Sequence, residues 1–207
     1  MAYSDFTITK FEQAFGIRQT LGQLFPNPSR TLIPSEHLEV SLREAQLLPI
    51  FSEKAKSELI ISPILMEVLR QNDFQLTLFS GYSLDVDPQR GLNGQCDFML
   101  STEVSSLELK APICCIVEAK NRAVEEGIGQ CAAELFASRL FNGTSNRPTN
   151  TLYGVITNGF DWLFVRLDDH ALTVDVRRYY LGQLPELLGV MQTIVDFHRP
   201  DKLTTIS

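Results

Sequence analysis

The sequence contains few of the residues that build zinc sites, disulfides and covalent catalytic centres. Its 207 residues include four cysteines and three histidines, and none of these has the spacing of a zinc motif. The cysteines fall in apolar or Ala-rich segments, which favours small buried thiols in a reducing compartment. No Ser–His or Cys–His arrangement and no glycine-rich phosphate loop is present. The sequence therefore offers no support for covalent catalysis or P-loop nucleotide binding.

Long apolar runs and basic residues are also scarce. No stretch approaches the roughly eighteen apolar residues that a membrane-spanning helix requires, and the N-terminus lacks the basic-then-apolar order of a signal peptide. We therefore expect a cytoplasmic protein without membrane association. The 18 Lys and Arg residues stand against 25 Asp and Glu, a net charge of −7. This balance argues against tight autonomous DNA binding, unless bound cations or a basic partner reverse the local charge.

The apolar pattern predicts a single compact domain of the α/β or α+β class, with a mixed β-sheet flanked by helices. Residues 1–50 are expected to form a helical extension packed on the core, and residues 51–207 the main domain. Helices are predicted at 1–25 (ended by Pro26-Asn27-Pro28), 35–47, 52–70 (kinked or split at Pro63), 124–140 (ended by Asn142-Gly143) and 185–198. Strands are predicted at 74–86, 95–101, 112–120, 151–157, 160–167 and 172–178, with a hairpin turn at Asn158-Gly159.

Two acidic residues interrupt segments that otherwise have the pattern of buried strands. Asp97 lies beside an apolar run that ends at Leu100, and Glu118 follows the apolar run 114–117. Burying a carboxylate costs several kcal/mol unless a cation accompanies it. Lys120 lies two residues after Glu118 and therefore on the same face of a strand. This combination favours a metal site where the two strands meet.

The short connection between these strands favours their pairing as neighbours, which would let the carboxylates of Asp97 and Glu118 converge. Two hard oxygen donors suit Mg²⁺ or Mn²⁺. Such a cation can polarise a phosphodiester and generate hydroxide from bound water. Lys120 would orient the attacking water or bind a phosphate oxygen. Burial could also lower its pKa enough for base-like behaviour.

Asp97 and the Glu-x-Lys formed by Glu118 and Lys120 resemble the motifs of the PD-(D/E)XK nuclease superfamily, which has the restriction-endonuclease-like fold. Cys96 stands where the first motif usually has proline, whereas the second motif is matched in full. The segment 52–65 looks like the N-terminal helix of the nuclease domains of type I restriction motor subunits, and the full run 52–167 looks like small uncharacterised cyanobacterial proteins. The resemblance implies Mg²⁺-dependent hydrolysis of DNA, with Asp97 and Glu118 as metal ligands and Lys120 as the catalytic lysine.

Two further site residues enter through the same resemblance. Glu53 matches a helix glutamate that helps to hold the metal, with Glu58 as the reserve and Glu67 as a further competitor. Gln130 matches the glutamine of the helix after the catalytic lysine, where that residue contacts the metal site or a phosphate. In one branch a tyrosine follows four residues later. Here that residue is Glu134, which departs from the pattern of that branch.

Each candidate residue also has a structural interpretation. Glu118 and Lys120 could form an ion pair on a solvated face of the sheet. Asp97 could cap backbone amides at a strand end. Glu53 could be an ordinary first-turn helix acid, and Gln130 a polar helix residue without a role in a site.

Three functional hypotheses remain at this point. The leading one is a Mg²⁺- or Mn²⁺-dependent nuclease with DNA as its substrate. The alternative is a catalytically inactive nuclease-fold module that acts in protein interaction or regulation, which the negative net charge favours. The third is a different metal-dependent hydrolase on the same scaffold. Cutting both strands of a duplex would favour a homodimer or a larger protein complex, although no residue points to such a surface.

Overall fold

The computed structural model describes residues 1–25, 31–104 and 107–199. A seven-stranded sheet forms its centre, in the order β1-β7-β6-β5-β4-β3-β2. The strands are Arg18–Gly22 (β1), Thr77–Ser83 (β2), Gln95–Ser101 (β3), Ile113–Ala119 (β4), Leu152–Thr157 (β5), Asp161–Leu167 (β6) and Ala171–Tyr180 (β7). The β1–β7 and β4–β5 pairs are parallel and the other pairs are antiparallel. The predicted mixed sheet is confirmed.

Helices cover both faces of the sheet. They are Ile8–Phe15 (α1), Glu36–Ala45 (α2), Glu53–Lys56 (α3), Ser62–Gln71 (α4), Ile128–Thr144 (α5) and Leu184–His198 (α6). Buried side chains of α2, α4 and α6 join one apolar cluster, whereas those of α1 and α5 join a second. Alternate residues of the central strands enter the two clusters, because successive side chains of a strand point to opposite faces. The predicted flanking of the sheet by helices is therefore confirmed.

The helical stretch before β2 is divided, as Pro63 predicts. The Ser52 side chain caps α3 by accepting a hydrogen bond from the amide of Ala55 at 3.1 Å. A π-helical segment, Ser57–Ile61, follows and leads directly into α4, whose first turn contains Pro63. Proline has no N–H to donate to the preceding turn, so a wider turn at this point avoids the lost bond.

The N-terminal segment differs from its prediction. Residues 1–25 contain the helix α1, but Arg18–Gly22 forms the edge strand β1, which pairs with β7. The expectation of a wholly helical extension is wrong, because part of residues 1–50 belongs to the central sheet itself. The proposed helix terminator Pro26-Asn27-Pro28 lies outside the described residues.

The helix after β4 also runs further than predicted. α5 continues through Asn142 and Gly143 to Thr144. The Asn142 side chain is turned towards β4, where it bonds both the amide and the carbonyl of Ile113 at 2.8 Å. The side-chain amide of Asn142 therefore links α5 to β4, and the helix does not end there. In the part of the chain that the structure describes, no helix is long and apolar enough to cross a membrane.

Candidate functional site

Asp97 and Glu118 occupy neighbouring positions on adjacent strands. In the antiparallel pair of β3 and β4, Phe98 lies opposite Val117. The next residue of each strand is then Asp97 on β3 and Glu118 on β4. The Asp97 carboxylate accepts a hydrogen bond from the Ala119 amide, with 2.7 Å between Oδ2 and N. The predicted adjacency of these two strands is confirmed.

The Glu118 carboxylate lies inside the protein. Only 2% of the residue is exposed, and every residue of β4 is buried. Its Oε1 is paired with the Lys120 ammonium, while its Oε2 has no hydrogen-bond partner among the described residues. Burial and the charge of Asp97 raise the pKa of Glu118 to about 8, against the opposing effect of Lys120. A solvated ion pair on an open sheet face is therefore the wrong description.

Lys120 directly follows the last residue of β4 and continues the backbone pairing of β4 with β5. Its backbone N–H donates to the carbonyl of Thr157, the last residue of β5, at 2.8 Å. Its side chain turns back to Glu118, and 19% of that side chain is exposed. Gly127 leaves room for this course, because a Cβ there would lie 2.9 Å from Lys120 Cε. The strand geometry thus places the carboxylate and the ammonium on one face, as predicted.

The pKa of Lys120 shifts in the direction opposite to the one expected. Burial alone would lower it, but the charges of Glu118, Glu53 and Asp97 outweigh burial and raise the pKa. A raised pKa does not favour base-like behaviour of Lys120. Lys120 is a fixed positive charge, suited to orienting water or binding a phosphate oxygen.

Gln130 contacts the catalytic candidates from the other side. It lies in the first turn of α5, and its Oε1 accepts a hydrogen bond from Lys120 Nζ at 3.0 Å. Its Nε2 donates to Oε1 of Glu134, one helical turn further on, at 3.1 Å. Gln130 is therefore part of the cluster and not a solvated helix residue.

Glu134 belongs to this cluster although the sequence analysis assigned it no role. It is fully buried, and its Oε2 has no hydrogen-bond partner among the described residues. Burial and the charge of Glu118 raise its pKa well above the usual range. One signal could have found it. Glu134 is an acid inside the apolar stripe of α5, four residues after Gln130 and therefore on the same helix face.

A cleft of about 590 Å³ opens beside Asp97, between the α3 region and the strands β2 and β3. Glu53 lines this cleft, and so does Glu58. Glu58 is exposed and forms an ion pair with Lys54 at 3.7 Å. The charge of Glu53, by contrast, raises the pKa of both Glu118 and Lys120. Of the two acids, Glu53 is therefore the one electrically coupled to the cluster.

Glu67 serves the packing of two helices instead. Its buried carboxylate accepts hydrogen bonds from the amide and the hydroxyl of Ser35, at 3.0 and 2.7 Å. It also accepts from Arg70 at 2.7 Å and from Gln71 at 3.0 Å. The bonds from Ser35 join α2 to α4 and the other two lie within α4, so the carboxylate of Glu67 is engaged in packing and is not a candidate for the site.

The balance of charge in the cluster fits a divalent cation. Asp97, Glu118 and Glu134 are three carboxyl groups whose charges act on one another, and Lys120 is the cation placed among them. Within residues 1–25, 31–104 and 107–199, no group of three or more His, Cys, Asp or Glu side chains is placed so that it could hold a metal ion. Mg²⁺ commonly takes one or two carboxylates and completes its shell with water. Asp97 and the unpartnered Oε2 of Glu118 are donors of that kind.

Comparisons with family models, with curated proteins and with solved structures found no match to this chain.

Proposed function

We propose that this protein is a Mg²⁺- or Mn²⁺-dependent nuclease of the PD-(D/E)XK type that hydrolyses phosphodiester bonds of DNA. One observation carries the proposal. Asp97 and Glu118 lie side by side on β3 and β4, next to the Lys120 ammonium, and Asp97 lines a cleft of about 590 Å³. An acid on each of two paired strands, with a lysine two residues after the second acid, is the arrangement expected for this motif.

The burial of Glu118 supports a cation-binding role, because a buried carboxylate is unfavourable unless a cation accompanies it. Glu118 ionises only with difficulty in the metal-free protein, since its pKa is about 8. A divalent cation beside it would favour the ionised form and use the free Oε2. When bound, such a cation would polarise the phosphodiester and lower the pKa of a bound water. Asp97 and Glu118 would hold it, with Glu53 at the wall of the cleft as an additional ligand or water-orienting group.

The chain's own residues supply the remaining functions. Lys120 keeps its positive charge and would stabilise the negative charge that develops on the phosphate, or orient the attacking water. Gln130 holds the ammonium from the side of α5. The acidic wall formed by Glu53, Glu58 and Asp97 would repel a phosphate in the absence of cations. Substrate binding is therefore expected to depend on the metal.

Cleavage of plasmid and linear DNA with and without Mg²⁺ or Mn²⁺ tests this function. The wild type should cut only with the cation, and Asp97→Asn, Glu118→Gln and Lys120→Met should each lose at least about a hundredfold in rate. Glu58→Gln is the matched control, because it removes a charge from the same cleft without touching the cluster. Equal cleavage by the wild type and Asp97→Asn would refute the proposal.

An inactive module for protein interaction is the second candidate, and a separate surface favours it. An apolar groove of about 290 Å³ is lined by Leu42, Ile50, Phe51, Ile60 and Phe160. Phe51 is 82% exposed. Exposed apolar patches of this kind often mark interaction sites. A protein that binds no Mn²⁺ at Asp97 and cuts no DNA would favour this candidate over the nuclease.

A further inference from the structure

A series of hydrogen bonds links Glu118 on β4 to Glu134 on α5. Lys120 contacts Glu118 and Gln130, and Gln130 contacts Glu134. We propose that Glu134 is a positioning residue, whose carboxylate fixes the orientation of the Gln130 amide and through it the location of the Lys120 ammonium. The catalytic consequence of this role rests on the proposed nuclease function, whereas the positioning itself does not.

Lys120 sets the orientation of Gln130, and Glu134 meets its other end. An ammonium can only donate hydrogen bonds, so Gln130 turns its carbonyl oxygen to Lys120, at 3.0 Å. Its amide nitrogen then faces Oε1 of Glu134, at 3.1 Å, and a carboxyl group offers an acceptor oxygen there whether or not it is ionised. The flipped amide would place donor against donor at Lys120. Without an acceptor at position 134, the amide nitrogen of Gln130 loses this partner, and only the contact with Lys120 holds the side chain.

The burial of Glu134 is not explained by packing. Glu134 is fully buried, and its sequence neighbours Ala133 and Leu135 are buried apolar residues. Burying a carboxyl group costs free energy, whereas burying an apolar side chain does not. One of its oxygens makes no hydrogen bond among the described residues, so Glu134 does not act as a structural tie like Glu67. Its contact to Gln130 is what distinguishes it from an apolar residue of the same size.

Glu134 has no access to substrate. It does not line the cleft beside Asp97, and none of its surface is exposed. Any effect of Glu134 on the reaction must therefore pass through its hydrogen bond to Gln130 or through the interaction of its charge with Glu118 and Asp97. Gln130 is the side chain that links it to Lys120, which makes the link testable by substitution at both ends.

The test compares Glu134→Leu with Glu134→Gln in the full chain. Leucine removes the acceptor, whereas glutamine keeps a carbonyl oxygen for Gln130 Nε2. The first readout is the exchange rate of the Gln130 side-chain amide protons, measured by ¹⁵N NMR and assigned with Gln130→Met. We expect at least about a tenfold faster exchange in Glu134→Leu and recovery of most of the slow exchange in Glu134→Gln. Ser138→Ala, one turn further along α5, is the control for general loosening of the helix.

The second readout is the rate of DNA cleavage in a double-mutant cycle. Glu134→Leu should slow cleavage about tenfold in the wild type and have no further effect in Gln130→Met, because both act through Lys120. Unchanged Gln130 exchange in Glu134→Leu, or additive effects on cleavage, would overturn the proposal. If Glu134→Leu does not fold, loss of the slow exchange in Glu134→Gln would overturn it equally. A wild type without nuclease activity would refute the proposed function but leave the NMR result decisive for positioning.

Discussion

The Asp97 carboxylate accepts a hydrogen bond from the backbone amide of Ala119, at 2.7 Å. Ala119 lies between Glu118 and Lys120, so this bond ties the acid of β3 to the segment that carries the other two groups. It uses one oxygen of Asp97, Oδ2. The interpretation of Asp97 as a strand-end cap and its interpretation as a ligand are therefore compatible.

Substitutions at Asp97 separate these two roles. Asp97→Asn retains an oxygen acceptor for the Ala119 amide and removes a charge that opposes ionisation of Glu118, so it should be at least as stable as the wild type. Asp97→Ala leaves a buried N–H without a partner and should lose about 1–3 kcal/mol. Both should lose metal binding. Urea unfolding measures the first difference, and equal stability of the two variants would show that the bond contributes nothing.

The raised pKa of Glu118 predicts how stability depends on pH. Because the folded protein holds a proton up to about pH 8 that the unfolded chain releases near its usual 4.5, stability should fall as pH rises through the folded pKa. Between pH 7 and 9, in a metal chelator, the loss attributable to Glu118 should be about 1 kcal/mol. The folded-state titration of His198 lies outside this pH range, since burial lowers its pKa to about 4.

Glu118→Gln removes that contribution, together with the effect of the Glu118 charge on the pKa of Glu134 and Lys120. The variant cannot ionise at this position, so its stability should fall less steeply than that of the wild type over the same range. The difference between the two curves removes the contribution of cysteines, which titrate in both unfolded chains. Parallel curves would mean that Glu118 is already ionised at pH 7.

Glu53 and Glu58 form a matched pair for testing the wall of the cleft. Both line it, and the charge of Glu53 raises the pKa of Glu118 and of Lys120. Glu53→Gln should weaken Mn²⁺ binding by about tenfold, whereas Glu58→Gln should leave it within about twofold. Calorimetric titration of both variants gives the comparison. A larger effect at Glu58 would reverse the assignment.

Gly129 and Gly143 form a second matched pair, on α5. A Cβ at Gly129 would lie 2.4 Å from the backbone carbon of Thr7, whereas a Cβ at Gly143 would meet nothing within 4 Å. Gly129→Ala should therefore cost about 1–3 kcal/mol, because the N-terminal segment has to move away. Gly143→Ala should stabilise by up to about 1 kcal/mol through helix propensity. Thermal or urea unfolding of both variants checks this opposite sign, and a neutral Gly129→Ala would show that residues 1–25 are loosely attached.

The parts of the fold that were predicted correctly rest on local signals. Most residues of β3 and β4 are apolar, which predicts buried strands. The acids inside these strands are notable because burial of a carboxylate is costly. The hairpin of β5 and β6 follows from Asn158-Gly159, where Gly159 has a φ of 88°. The alignment of Asp97 with Glu118 then follows from pairing of consecutive strands across a short connection.

The elements that were missed depend on distant partners. β1 has mostly exposed residues, with Leu21 69% exposed, and it becomes a strand because it pairs with β7 near the other end of the chain. No local pattern reports such a contact. The raised pKa of Lys120 depends first on its pairing with Glu118 and then on the charges of Glu53 and Asp97, which come from other elements. Glu134 had a local signal, but its importance became visible only through its contact with Gln130.

The most direct test of the account is calorimetric titration of the metal-free protein with Mn²⁺. The account predicts saturable binding that is lost in Asp97→Asn and in Glu118→Gln and retained in Glu58→Gln, with all three variants folded. Absence of binding to the wild type, or equal binding by the wild type and Asp97→Asn, would contradict a cation site between β3 and β4.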